Sequence, residues 1–149
     1  MLLAIGERGF LASTAALLAE AVYAQDRLEE AEQLTAQAEA LAKPGDNANQ
    51  ARCRATRAKL LARRGEFATA RRLAGQAAAL VSPTSWAALR AEMLAAKAEV
   101  SRLAGAPGEA EASLRQALRI YENRRAAPLA ERTRAALASL VARSGTGLA

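Results

Sequence analysis

The sequence predicts an all-α protein of about seven antiparallel helices, arranged as helical hairpins that stack on one another. The first observation is a repeat, because LTAQAEAL at 34–41 returns as LAGQAAAL at 73–80 and as SLRQALRI at 113–120. A fixed spacing of this size indicates stacked supersecondary units. The second is composition, since 42 of the 149 residues are alanine and only 3% are aromatic, which suits closely packed helices. The third is the absence of long Val, Ile and Thr runs, which argues against strands.

Aligning the three copies places alanine in the same three columns of every unit. These columns are Ala19, Ala58 and Ala98; Ala31, Ala70 and Ala110; and Ala38, Ala77 and Ala117. Alanine at a shared column lets two helices approach closely, and larger side chains fill the space between successive hairpins. Because one hairpin cannot bury its apolar face alone, the units are predicted to stack.

Each unit is interpreted as two helices joined by a short turn. The turn falls at Asp26, Gly65 or Gly105, because glycine tolerates the left-handed conformation that closes a helix. Asp46 and a Ser or Thr within 82–85 are predicted N-caps, and Pro107 stands at a helix start, where proline costs least. The predicted helices are 9–25, 28–43, 47–64, 67–81, 85–104, 107–122 and 126–143. One domain, 1–149, therefore holds repeats at 9–43, 47–81 and 85–122 and a terminal helix at 126–143.

These columns resemble the tetratricopeptide repeat, which has a small and then a large apolar residue, a Gly-x-aromatic turn and two further alanines. The second unit matches with Ala58, Leu61, Gly65, Phe67, Ala70 and Ala77. The first unit has Asp26 in place of glycine, and the third departs at Ser101 and Pro107. The resemblance implies a right-handed superhelical solenoid whose first helices line a concave groove.

The spacing of 39 or 40 residues exceeds the common repeat of about 34 residues in that family. This longer spacing resembles the C-terminal repeats of large bacterial signalling ATPases, including those fused to adenylate cyclase or transcription-activator domains. The segments that carry this resemblance are GERGFLASTAALLAEAVYAQDRLEEAEQL and RAKLLARRGEF. It implies that the chain is a regulatory segment of a larger bacterial signalling or transcription-regulatory protein.

Charge is distributed unevenly along the chain. Residues 1–50 carry 3 basic and 8 acidic groups, residues 51–100 carry 10 and 3, and residues 101–149 carry 8 and 4, for a net charge of +6. The single cysteine gives no sign of an oxidising compartment, and the opening MLLAIGERG is too short for a signal peptide. No apolar stretch approaches the roughly 20 residues that cross a bilayer. We therefore expect a cytoplasmic protein with no membrane partner.

Residues for catalysis or metal binding are scarce in the sequence. Histidine is absent, and Cys53 is the only cysteine, which removes the commonest general base and the usual zinc ligands. No glycine-rich phosphate loop precedes a lysine. Although arginines flank Cys53, it is expected to be a passive small side chain. We therefore expect neither an enzyme nor a bound cofactor or metal.

What remains is the stripe of residues that the first helices would present to the groove. By helical spacing, the stripe is Ser13, Ala16, Glu20, Tyr23, Arg52, Ala55, Lys59, Arg63, Glu92, Ala95, Glu99, Arg102, Arg132, Ala135, Ser139 and Arg143. The candidate groove residues are Glu20, Tyr23, Arg52, Lys59, Arg63, Glu92, Glu99 and Arg102. Two interpretations stay open: these charges neutralise one another, or they form a mixed groove for an acidic or amphipathic peptide.

The leading functional hypothesis is therefore a non-catalytic protein–protein interaction module. One alternative is a nucleic-acid-binding array that uses the basic block Arg52, Arg54, Arg57, Lys59, Arg63, Arg64, Arg71 and Arg72. The scarcity of aromatic residues for base stacking and the acidic first 50 residues argue against it. A second alternative is a self-assembly scaffold, in which two copies form a homodimer through exposed terminal helices.

Overall fold

The computed structural model describes residues 2–81 and 86–146, and within these ranges it contains seven α-helices and no strand. The helices are α1 (Leu2–Ala24), α2 (Leu28–Leu41), α3 (Asn47–Arg63), α4 (Phe67–Leu80), α5 (Ala87–Leu103), α6 (Pro107–Asn123) and α7 (Ala127–Thr146). The predicted all-α class is confirmed, and the boundaries of α2 to α6 lie within two residues of those predicted from the sequence.

The first helix is the main departure, because it begins at Leu2 rather than at residue 9. The predicted helix began at Gly9, whereas the observed helix contains both Gly6 and Gly9, although each glycine costs about 1 kcal/mol in a helix interior. Leucine, alanine, glutamate and arginine surround the two glycines, and these strong helix formers carry the helix through. At the start of α5 the N-cap is Trp86. The Ser or Thr predicted for that role lies outside the described residues.

The predicted turns share one backbone geometry. Asp26, Gly65 and Gly105 have φ angles of 62°, 83° and 74°, and Arg125, before α7, has 55°. In all four turns the next amide donates to the carbonyl five residues earlier, for example Arg27 N to Val22 O at 3.0 Å. This pattern is the Schellman closure of a helix. At the start of α3 the predicted N-cap is also confirmed, because Asp46 accepts a hydrogen bond from the Asn49 amide at 3.3 Å.

All three alanine columns are buried, with every member at most 2% exposed. Each helix packs against the next one in the chain, and α1 also packs on α3, as α3 does on α5. Apolar clusters therefore cross the boundaries between hairpins. One of them joins Ala51 and Ala55 of α3, Ala77 of α4 and Met93 of α5. This layered packing is consistent with helical repeats, and it leaves the first helices free to present a common face.

Candidate functional site

A groove of about 740 Å³ runs across one face of the molecule. Its walls come from α1, α3 and α5 on one side and from α7 on the other, and α6 forms its floor. It is lined by Glu20, Ala55, Lys59, Glu92, Met93, Ala95, Ala96, Ala98, Glu99, Arg102, Ala110, Leu114, Tyr121, Leu129, Arg132, Thr133, Ala136, Ser139, Leu140 and Arg143.

The last helix, α7, packs less closely on α5 than the earlier first helices pack on one another. Among the described residues, α1 lies in close contact with α3, and α3 with α5, but no contact of comparable extent joins α5 to α7. The last helix packs instead on α6. Ala110, Leu114 and Tyr121 of α6 lie at the base of the groove, where they are buried, at 1%, 9% and 5% exposure, and leave almost no free apolar surface.

The structure brings most of the candidate residues together. Glu20, Lys59, Glu92, Glu99 and Arg102 line the groove. The remaining three candidates, Tyr23, Arg52 and Arg63, do not line the groove. Tyr23 and Arg52 contact residues of its wall, and Arg63 lies at its margin.

Arg52 is the centre of an ion-pair cluster at one end of the groove. Its Nη1 lies 2.6 Å from Oε2 of Glu92 and 3.9 Å from Oε2 of Glu20. A guanidinium between two carboxylates neutralises part of the negative charge on this wall. At this end, the interpretation that the charges neutralise one another therefore describes the geometry well.

Tyr23 connects the first hairpin to the third. Its hydroxyl donates to Oε1 of Glu99 at 2.5 Å, and the Lys59 ammonium lies 4.4 Å from the centroid of its ring, a cation–π contact. Burial raises the pKa of the Tyr23 hydroxyl, and the hydrogen bond to Glu99 raises it further. The phenol is therefore a fixed hydrogen-bond donor in this wall. Arg63 lies at the margin, where it pairs with Asp26.

Glu20 has a pKa raised above its ordinary value of 4.5, because burial outweighs the attraction of Lys59 and Arg52. The folded protein therefore holds this proton more tightly than the unfolded chain does, and Glu20 lowers stability as pH rises above that ordinary value. We expect Glu20→Gln to unfold at higher urea concentration than the unsubstituted protein at neutral pH. The difference should shrink toward zero as pH falls below the ordinary value.

The matched control for this prediction is Glu131→Gln, because Glu131 is an exposed carboxylate outside the groove. Its substitution should change the urea midpoint little at either pH. If Glu20→Gln unfolds at lower urea concentration at neutral pH, the ion pair with Arg52 outweighs the burial of the carboxylate, and the sign of the prediction is wrong.

The α5 and α7 walls of the groove carry two further cations. Arg102 and Arg132 are exposed and form no ion pair within the described part of the chain. Leu129 of α7, which is 39% exposed, also lines the groove, whereas Leu140 is buried. These walls therefore combine exposed apolar surface of α7 with two arginines that form no ion pair within the described residues.

The basic block does not form a continuous positive surface. Ion pairs join Arg57 to Glu39, Arg64 to Glu32 and Arg71 to Glu109, in addition to the pairs of Arg52 and Arg63. Most of these carboxylates come from the acidic first 50 residues. The uneven distribution of charge along the sequence therefore largely reflects ion pairs between neighbouring hairpins.

Several lining residues were missing from the predicted stripe. Leu114 and Tyr121 belong to α6, a second helix of its hairpin, and Ala136 takes the place predicted for Ala135. No pattern in the sequence signalled that α7 would pack on α6 more closely than on α5, so the part that α6 takes in the groove lining could not be predicted. Trp86 is half exposed and lines a separate recess with Ala48 and Arg124.

The described residues offer little for catalysis or metal binding. Cys53 is 2% exposed, and burial raises the pKa of its thiol to about 12, so it is not an activated nucleophile. Within residues 6–81 and 86–145, no three His, Cys, Asp or Glu side chains are grouped to hold a metal ion. In the same part of the chain, no helix has the length and apolar character needed to cross a membrane.

Comparison with known proteins found no family model that matches the chain, and a search of curated proteins found no match either.

Proposed function

We propose that this chain is a non-catalytic helical-repeat module of the tetratricopeptide type, which holds a segment of a partner protein in the groove. The observation that carries this proposal is the α5–α7 end of the groove. There the exposed Leu129 and Ala136 of α7 line the groove together with Arg102 and Arg132, which form no ion pair within the described part of the chain.

The chemistry of the two ends defines the segment that fits. Apolar side chains of the partner would contact Leu129, which is 39% exposed, and the exposed Ala136 of α7, where burial contributes about 25 cal/mol per Å² of apolar surface. Carboxylates of the partner would lie near Arg132 of α7 and near Arg102 at the C-terminal end of α5, while Glu92 and Glu99 disfavour acidic groups along the rest of the α5 wall. An acidic, amphipathic segment therefore fits best, in the groove-binding manner of helical peptides.

Repeat spacing supports the tetratricopeptide assignment. The buried alanine columns and the left-handed turns recur at the spacing from which the resemblance was argued, and a right-handed superhelix is the arrangement that this family would adopt. The resemblance to the repeats of large bacterial signalling ATPases supports a regulatory role for the binding. The chain would then act as part of a larger signalling or transcription-regulatory protein in the cytoplasm.

The nucleic-acid alternative receives less support from the geometry. Phosphate binding needs several free cations on one surface, because each contact releases counterions. Five members of the basic block are paired with carboxylates. Of the remaining three, Arg54 and Lys59 lie on α3 and Arg72 lies on α4, and only Lys59 lines the groove. We therefore favour a protein partner.

The proposal can be tested with a phage-displayed library of random peptides selected on the immobilised protein. We expect enrichment of amphipathic peptides with acidic residues. One enriched peptide, labelled with a fluorophore, should bind about tenfold more weakly to the double variant Arg102→Glu/Arg132→Glu, since two exposed ion pairs of up to about 1 kcal/mol each are lost and replaced by repulsion.

The matched control is Arg72→Glu/Arg119→Glu, which makes the same change in charge at exposed positions outside the groove. Its peptide affinity should equal that of the unsubstituted protein. The proposal fails if no peptide is enriched, or if both double variants weaken binding equally. Tight binding of a labelled oligonucleotide at physiological salt, weakened by the control variant, would favour the nucleic-acid alternative instead.

A further inference from the structure

The outer face of α1 carries a stripe of large apolar side chains that nothing in the described structure covers. Phe10 is 72% exposed, Leu11 and Leu17 are each 51% exposed, and Leu18 is 48% exposed. At the middle of the stripe, the Thr14 hydroxyl donates to the Phe10 carbonyl at 2.8 Å. The Thr14 hydroxyl therefore has its hydrogen-bond partner within the helix, and burial of the stripe would not leave this hydroxyl unpaired.

The repeat shows which part of this stripe a preceding hairpin would cover. Positions 10, 14, 17 and 21 correspond, at the repeat spacing, to buried positions in α3 and α5. Those buried residues are Asn49, Cys53, Thr56 and Leu60 in α3 and Leu89, Met93, Ala96 and Val100 in α5. They pack on the hairpin before them, for example Met93 and Leu89 on α3 and α4.

Positions 11 and 18 do not follow this rule. Their counterparts in the inner helices are polar, namely Gln50 and Arg57 in α3 and Arg90 and Lys97 in α5. In α1 the same two positions are Leu11 and Leu18, and both are exposed. The apolar stripe of α1 is therefore wider than the face that a preceding repeat would bury, which points to an occupant of a different kind.

The order of residues in the stripe is symmetric about Thr14. Large apolar residues stand three and four positions before it, at Phe10 and Leu11, and three and four positions after it, at Leu17 and Leu18. A two-fold symmetric interface needs a patch that is complementary to itself. When two α1 helices lie antiparallel, Phe10 of one copy meets Leu18 of the other, and Leu11 meets Leu17.

We propose that a second copy of this chain docks on the α1 stripe, forming an antiparallel helix pair whose two-fold axis passes beside Thr14. No charged residue lies between Arg8 and Glu20, so the contact brings no like charges together. The four apolar residues of each copy form a patch below the roughly 800 Å² per partner of a standard interface. The dimer is therefore a reversible one that dissociates on dilution. It uses a surface separate from the groove and does not depend on peptide binding.

Sedimentation equilibrium of the full chain, from low to high micromolar concentration, tests for the dimer. We expect a reversible monomer–dimer equilibrium that Leu18→Glu weakens at least tenfold, because each dimer would bury the substitution twice. Val141→Glu is the control, since Val141 is an exposed large apolar residue of α7, at 57%, far from α1 in the chain. It should leave the equilibrium unchanged. A monomer at every concentration, or loss of association in the Val141→Glu variant, would overturn the proposal.

Disulfide cross-linking tests the register. In the proposed pair, Thr14→Cys faces its own copy across the axis and should form a dimer under mild oxidation. Phe10→Cys alone should not, because the two copies of residue 10 stand about 12 Å apart along the helices, beyond the roughly 7 Å that a disulfide spans between α-carbons. The unsubstituted protein, with Cys53 buried, is the control. Self-linking of Phe10→Cys without that of Thr14→Cys would refute the symmetric register.

Discussion

Replacing Met93 by alanine is expected to lower the free energy of unfolding by about 2–5 kcal/mol. Met93 is 1% exposed and is among the largest fully buried side chains of the described residues. It packs with residues of α3, α4 and α5, so it joins the second hairpin to the third. Its removal would leave a cavity that the surrounding alanines have too few atoms to fill.

Urea denaturation followed by circular dichroism measures this loss, with Val141→Ala as the control. Val141 is exposed on α7, and surface substitutions of this kind change stability by about 0.5 kcal/mol or less. The transition of Met93→Ala should also be inspected for a second step, because a weakened boundary between hairpins reduces cooperativity in repeat proteins. An unchanged midpoint would mean that Met93 does not join the two hairpins.

The opposite kind of change, from small to large, is expected to be costly at the alanine columns. Ala70 is fully buried and packs with Ala58, Ala62, Ala74 and Val100. A leucine there has no space without separating α3 from α4, so Ala70→Leu should reduce the free energy of unfolding by about 1–3 kcal/mol.

The control lies two residues away on the same helix. Ala68 is exposed, so Ala68→Leu introduces the same side chain without overpacking and should change stability little. Thermal unfolding of both variants, compared with the unsubstituted protein, gives the answer. Equal stability of Ala70→Leu and Ala68→Leu would show that residue 70 is not a close helix–helix contact and that the repeat register is misplaced.

The helices and their packing register could be predicted from the sequence because both depend on local signals. The alanine columns, the glycine turns and the Asp46 cap each act over a few residues. The alanine columns and the glycine turns also recur along the repeats, so that alignment of the units reveals them. The turn at Asp26 was found only by alignment with Gly65 and Gly105, since a non-glycine residue rarely adopts a positive φ. The left-handed conformation of Arg125 had no such aligned partner and was not predicted.

The candidate groove was predicted in part. Helical spacing alone placed Glu20, Lys59, Glu92, Glu99 and Arg102 on one face, and all five line the groove. The floor could not be predicted, because it depends on the distance between α5 and α7, a long-range property that no local pattern encodes. The pairing of Arg52 with Glu92 was also open, since sequence order does not reveal which side chains meet across hairpins.

The ion pairs between hairpins bear on the order in which the repeats assemble. Arginines of the middle hairpin meet carboxylates of both neighbours, as in Arg64 with Glu32 of the first hairpin and Arg71 with Glu109 of the third. Hairpins of similar shape and alanine-rich surface could otherwise stack in the wrong sequence or exchange between chains, a common failure of repeat proteins. Placing the first hairpin directly against the third would bring carboxylates of both together. Each ion pair adds little to stability. Together, however, the pairs make the correct stack more favourable than the misassembled one. Because salt screens these charges, we expect more misassembly during folding at high salt.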